Sequence, residues 1–174
     1  MIVFIRHGET EYNAKGLWMG LTDEPLNKNG LVQAHLAAEQ LKALAFSRIY
    51  TSPLKRAYET ACIIHNKQST NPELIVEKSF QERAFGNFEG LTKTATRRKK
   101  LEEAYGVESM LDLQSRLLLA MSKIKTLENT LIVSHSAVFR CLVENLGFSV
   151  ESKKNSLSNC EFAILTAPEM ADNT

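Results

Sequence analysis

Two arginines, two histidines and one carboxylic acid stand where this chain passes from apolar to polar residues. Arg6 and His7 follow the first apolar run, Arg56 comes shortly after a second, Glu82 a few residues beyond a third, and His135 directly after a fourth. Brought together, such groups could handle phosphate. Two guanidinium forks hold the oxygens of a phosphoryl group in pairs and neutralise charge that would repel a nucleophile. An imidazole attacks phosphorus if one ring nitrogen is unprotonated, and flanking Arg6 and Arg56 would favour that neutral form of His7. The leaving alcohol then needs a proton, for which Glu82 is the candidate if burial keeps it protonated. Gly8, directly after His7, reads as a tight turn that brings backbone close to the ligand. Helix N-termini after Ser52 and after His135 would aim further N–H donors at the same anion. The arginines supply the positive charge, and no clustered Asp, Cys and His ligands occur, so neither a metal nor a cofactor is expected.

The elements that must position these groups are legible as an alternation. Strand-like runs at 1–5, 48–51, 74–76, 131–134 and 162–165 alternate with helical spacings of apolar residues. Ala34, Ala37, Ala38, Leu41 and Leu44 share one helical face. Ser52-Pro53 reads as an N-cap with proline at the first helical position, ahead of Leu54, Ala57, Ala61 and Ile64. Leu113, Leu117, Ala120, Met121, Ile124 and Leu127 predict a long amphipathic helix, and Phe139, Leu142, Val143 and Leu146 a further one that Gly147 ends. The polar end of the chain is expected to fray. This pattern predicts an α/β three-layer sandwich, with a mostly parallel central sheet and helices on both faces, as a single domain over 1–174. Open sheets of this kind bind ligands outside the carboxyl ends of their strands, where the singled-out residues fall. His35 and His65, inside helical patterns without polar companions, read as ordinary helix residues.

Composition narrows the partners. A net charge of +1 gives no broad field for nucleic acid or an anionic membrane, so a small molecule is expected. No run of 18 or more apolar residues and no leader-like n-region and h-region occur, which predicts a cytoplasmic protein with no membrane partner. Cys62, Cys141 and Cys160 are odd in number and widely spaced within apolar patterns, which predicts buried thiols. Nothing in the pattern speaks to oligomeric state.

Arg6-His7-Gly8-Glu9-Thr10 with Asn13 resembles the RHG signature of the histidine phosphatase superfamily, in its phosphoglycerate-mutase-like branch. Matches continue in order through Gly20-Leu21-Thr22-Asp23, Pro25-Leu26, Gly30, Gln33-Ala34, Tyr50-Thr51-Ser52-Pro53-Leu54, Arg56-Ala57 and Thr60-Ala61. Glu82-Arg83, Phe85-Gly86 and Phe88-Glu89-Gly90 resemble the segment bearing the family's acid, and Val133-Ser134-His135 the segment bearing its second histidine. The resemblance implies that His7 becomes phosphorylated, that Arg6, Arg56 and His135 bind the phosphoryl oxygens, and that Glu82 donates the proton. It implies that Asn13 adds an amide to the pocket, and that Thr10, Met19 and Gly20 shape its wall. Water would then hydrolyse the phosphohistidine.

Two features depart from the family pattern. Ser136 stands where glycine usually follows the second histidine; serine suits a helix N-cap, and activity is expected to survive. The stretch between Glu82 and Gly106-Val107-Glu108-Ser109, where the family usually inserts a substrate-covering lid, is short. Within it, Arg97-Arg98-Lys99-Lys100 either attracts a second phosphate or carboxylate or forms a solvated helical face beside Glu102-Glu103. The leading expectation is a phosphatase acting on a small phosphorylated metabolite. The alternatives are a 2,3-bisphosphoglycerate-primed phosphoglycerate mutase, or a pseudophosphatase that binds phosphorylated ligands without turnover. A nucleophile and an acid together speak against the last of these. Which alcohol leaves is not written in the shared residues, because discrimination belongs to the short lid.

Overall fold

The structure is a computed structural model and describes residues 1–124 and 129–168. Its first strand, β1 (Ile2–Arg6), sends Ile2 and Phe4 into one core and Val3 and Ile5 into another. A strand buried on both faces has no polar face to present, which is why this segment reads as a continuous apolar run. β2 (Arg48–Thr51), β3 (Glu73–Val76), β4 (Thr130–Ser134), β5 (Ser149–Val150) and β6 (Phe162–Thr166) complete a six-stranded sheet of order β3-β2-β4-β1-β6-β5. The pairs β3·β2, β2·β4 and β4·β1 are parallel, whereas β6 and β5 join antiparallel, so the sheet is mostly parallel as expected.

Helices cover both faces. On one side, α2 (Lys28–Leu41) and α3 (Lys55–His65) pack Ala37, Ala38, Leu41, Ala57, Ala61 and Ile64 against Val3, Ile5, Leu131 and Val133. Alanines at this interface let the helix backbones approach the sheet closely. On the other side, α5 (Met110–Ser122) and α6 (Ser136–Glu144) pack Leu113, Leu117, Val138, Phe139 and Leu142 against Phe4 and Ile132. Full burial of side chains such as Leu117 and Phe139 contributes about 1.5–3 kcal/mol each, which makes the sheet a rigid mount. Two short helices, α1 (Glu11–Ala14) and α4 (Ala95–Lys99), lie in the connections.

Several local expectations are corrected. α3 starts at Lys55 with Leu54 at its N-cap, not at Ser52-Pro53, because Leu54 stays extended; Ser52 Oγ accepts from the Leu54 N–H at 3.2 Å and also bonds to a residue far along the chain. The predicted helix through residue 127 ends at Ser122; Leu127 and the chain beyond Pro168 lie outside the described residues. α6 ends at Glu144, and Gly147 follows at φ +74°, close to where the sequence placed a stop. All three cysteines are free, but only Cys141 is fully buried; Cys62 and Cys160 are half-buried. No described helix is long and apolar enough to cross a membrane.

Candidate active site

Strand register builds half of the site. Arg6 pairs with Ser134 and Thr51 with Val133, so His7, His135 and Ser52 leave three adjacent strands side by side at the carboxyl edge. The rings of His7 and His135 lie 5.1 Å apart, centroid to centroid. His7 Nδ1 is 2.7 Å from the Gly8 carbonyl. A carbonyl oxygen only accepts, so Nδ1 carries the proton and Nε2 keeps its lone pair. His135 Nε2 bonds to Ser52 Oγ at 2.7 Å, across 83 positions of sequence, and its Nδ1 is buried without a partner among the described residues. Both histidines are held well below the ordinary imidazole value. Burial is the main cause, and Arg56 is the next, with Arg6 adding to both.

The two guanidinium groups are fixed from behind. Arg56, in the first turn of α3, donates from Nη1 to the Thr22 carbonyl and from Nη2 to the Gly20 carbonyl, both at 2.8 Å. Arg6 donates from Nη1 to the Leu157 carbonyl at 2.9 Å. Each keeps its Nε buried without a partner among the described residues, and both groups line one cavity with His7 and Glu82. Burial lowers Arg56 to about 10, against the opposing attraction of Glu82, which leaves it cationic at neutral pH.

Glu82 is buried at the edge of the cavity. Its Oε1 accepts from the backbone N–H of Arg83 at 3.0 Å and of Ala137, in the first turn of α6, at 3.2 Å. Burial raises its pKa, and the Arg83 N–H, Arg56, Arg6 and Lys93 oppose the rise. The α6 N-terminus therefore holds this carboxyl as well as facing the cavity. Asn13, Met19, Gly20 and Ser136 line the same cavity of about 150 Å³, whereas Thr10 does not. Thr10 is wholly buried and caps α1: its Oγ1 accepts from Asn13 N–H while its own N–H donates to Asn13 Oδ1, which aims Asn13 at the cavity. Ser136 is the first residue of α6 rather than its cap, a position His135 takes. Gly8 is also re-read. A Cβ there would lie 2.6 Å from the Gly30 carbonyl oxygen, so this glycine admits α2 against the loop rather than a ligand against the backbone.

The outer wall is a short lid, residues 83–107, tied down by side chains. Trp18, Phe85 and Leu101 form a small core of their own. Arg83 clamps both oxygens of Glu102 at 2.9 and 2.7 Å. Glu89 accepts from the N–H groups of Leu21, Thr22 and Phe85, each at 3.0 Å, and so joins the lid to the loop that Arg56 holds. The basic run divides between the two readings offered by the sequence. Arg98 lines the cavity and lies over the Trp18 ring, whereas Arg97 turns back to the Thr92 carbonyl and Lys99 is exposed. Lys93 and Arg140 line the cavity beside Arg98, and Lys93 lies over the same ring. Sequence reasoning missed Lys93 and Trp18. Their one signal, a cation and an aromatic flanking the site segments, is too common to select them.

A neutral imidazole with its lone pair free, a buried and a partly buried guanidinium group and a buried carboxyl, at the carboxyl edge of a mostly parallel sheet, form a site able to take up and transfer a phosphoryl group. Comparison with known proteins places the chain: residues 2–170 match the histidine phosphatase superfamily (branch 1), and the protein belongs to that family. It is 31% identical over 172 residues to the uncharacterised phosphatase PhoE of Bacillus subtilis, covering 93% of this chain and 88% of that one. It is also 31% identical over 163 residues to a 2,3-bisphosphoglycerate-dependent phosphoglycerate mutase of Cytophaga hutchinsonii, covering 84% and 76%. In three dimensions it is similar to a mycobacterial glucosyl-3-phosphoglycerate phosphatase solved with VO3, with a TM-score of 0.78 at 23% identity over 96% of this chain and 97% of that one.

Proposed function

We propose that this protein is a phosphatase that hydrolyses a small phosphomonoester through a phosphohistidine at His7. The observation that carries the reading is the fixed protonation of His7, whose Nδ1 bonds to the Gly8 carbonyl while burial, Arg56 and Arg6 keep the ring neutral. His7 Nε2 attacks phosphorus, the bond from phosphorus to the ester oxygen breaks, and Glu82 gives that oxygen its proton. Arg6 and Arg56 bind the equatorial oxygens, and His135, with Asn13, completes the cradle. Water then attacks the phosphohistidine, Glu82 takes a proton from it, and inorganic phosphate leaves with His7 restored. The arginines supply the positive charge, so no metal is required and a chelator should leave the rate unchanged.

The substrate that this cavity fits is a phosphomonoester whose alcohol carries a second anionic group, because Lys93, Arg98 and Arg140 face the site beyond the two inner arginines. The same cations favour one second reading, a mutase acting on a phosphorylated carboxylic acid. A coupled assay with 3-phosphoglycerate separates the two: release of inorganic phosphate is expected, and interconversion without release would select the mutase. For the reaction itself, His7→Ala is expected to abolish turnover of an aryl phosphate and the acid-labile phosphoenzyme trapped by quenching. Normal turnover in that variant would overturn the mechanism.

A further inference from the structure

Glu82 sits on backbone that belongs to no strand or long helix. It follows a 3-10 turn (Lys78–Phe80) and precedes the lid, and hydrogen bonds rather than strand register tie it down: the Ser134 hydroxyl donates to the Phe80 carbonyl at 2.7 Å and the Ala137 N–H to the Glu82 carboxyl. One side chain holds the peptide itself. Arg116, in the middle of α5, donates from Nη1 to the carbonyls of Ser79 and Gln81 at 2.5 and 2.9 Å, and from Nη2 to the carbonyl of Glu82 itself at 3.2 Å. Its remaining donors, Nε and the second Nη2 proton, take both oxygens of Glu108 at 2.6 and 2.8 Å. All five N–H groups of this guanidinium are thereby used. Glu108 grips the far side of the same loop, its N–H donating to the Ala84 carbonyl at 3.0 Å and its carbonyl accepting from Arg83 Nε at 2.8 Å.

We infer that Arg116, oriented by Glu108, is a positioning residue for proton donation: it holds the peptide that carries Glu82 at the distance from which the carboxyl meets the leaving oxygen. The inference rests on the reading of Glu82 as the acid. Arg116 lies outside the cavity lining and makes its hydrogen bonds to the Glu82 loop and to Glu108, while its charge adds, after burial and Arg56, a smaller contribution to the lowering of His135, which a lysine at this position would keep. Lysine cannot substitute, because an ammonium presents its donors from one point and cannot span three carbonyls and a carboxylate in one plane.

Misplacing an acid has a signature that general loss of structure lacks. An alkyl phosphate needs its leaving oxygen protonated, whereas p-nitrophenolate leaves without help. In Arg116→Lys, the single-turnover rate of phosphoenzyme formation from an alkyl phosphate should fall roughly 100-fold while that from p-nitrophenyl phosphate falls less than about 3-fold, the pattern expected of Glu82→Gln in this half-reaction, which excludes the shared hydrolysis step. Glu108→Gln, which keeps the shape and removes the charge, should show the same selectivity at a smaller loss, and guards against poor folding of the lysine variant. Equal losses on both substrates, or none, would overturn the inference. If Glu82→Gln discriminates and the Arg116 and Glu108 variants do not, the positioning role alone falls. If Glu82→Gln itself fails to discriminate, the acid assignment falls and takes the inference with it.

Discussion

The inner and outer halves of the cavity are built by different means. Arg6, His7 and His135 sit at the ends of adjacent strands whose register sets their spacing, and Arg56 sits in the first turn of a helix packed on the same sheet. Glu82, Lys93 and Trp18 sit on irregular backbone, and Arg98 on the short α4, in segments held by charged side chains: Arg116 on the acid loop, Arg83 on Glu102, and Glu89 on three N–H groups. Backbone register changes only by slipping a whole strand, which would turn every core residue outward. A side-chain clamp changes by single substitutions. The division therefore makes the strand-borne half harder to alter by a single substitution than the half that side chains hold in place.

The sharpest way to break this comparison is at its strongest-bound member. Arg56→Gln should lower kcat/KM about 10³-fold for every phosphomonoester tested, whatever its alcohol, because in the proposed mechanism its charge and its donors not held by the Thr22 and Gly20 carbonyls meet the phosphoryl group common to all of them. A loss that depends on the alcohol would move Arg56 to the outer half. A smaller, selective effect is expected across the lid. Arg98→Gln should lower kcat/KM about tenfold for substrates with a second phosphate or carboxylate, equivalent to one charged hydrogen bond. Phenyl phosphate should be unaffected, and a uniform loss would mean that Arg98 serves only to hold Trp18.

The same division decides what could be read from the sequence. The inner half was legible because apolar runs mark strands, strand ends mark sites, and His7, Arg56 and His135 fall there by position in the chain. Glu82 was marked only loosely by its place a few residues beyond the third apolar run, and the resemblance to a known segment sharpened that reading, since nothing local distinguishes it from other carboxylates. The lid was legible least: whether Arg98 or Arg97 faces the cavity is settled by the contacts of Trp18 and Thr92, which no periodicity encodes. Ser52 and Gly8 were misread for the same reason. Each carries a strong short-range signal, an N-cap and a turn; Ser52 does accept the nearby Leu54 N–H, but the contact that ties each residue into the site or the fold, with His135 or Gly30, is distant in sequence.

Acid should distinguish the two halves through stability. His7 in the folded chain titrates well below the ordinary histidine value of 6.5, so as pH falls below about 6.5 the unfolded chain binds a proton that the folded chain refuses. Stability is then lost, by at most about 1.4 kcal/mol per pH unit for one histidine. Glu82 acts in the opposite sense: its raised pKa means that stability is lost as pH rises above the unfolded carboxyl value, which masks the histidine in the intact protein. Comparison with His7→Gln removes the masking, because Glu82 is common to both. Urea unfolding at pH 7 and pH 5 should show the variant gaining on the intact protein by about 1–2 kcal/mol over that interval. A lid carboxylate should do nothing there. Glu102, held low chiefly by its hydrogen bond to Arg83, loses its contribution only as pH falls below the ordinary carboxyl range, so Glu102→Gln should run parallel to the intact protein between pH 7 and pH 5. If the His7→Gln curve also runs parallel, His7 titrates alike in the folded and unfolded chains, and the neutral imidazole on which the inner half depends is lost.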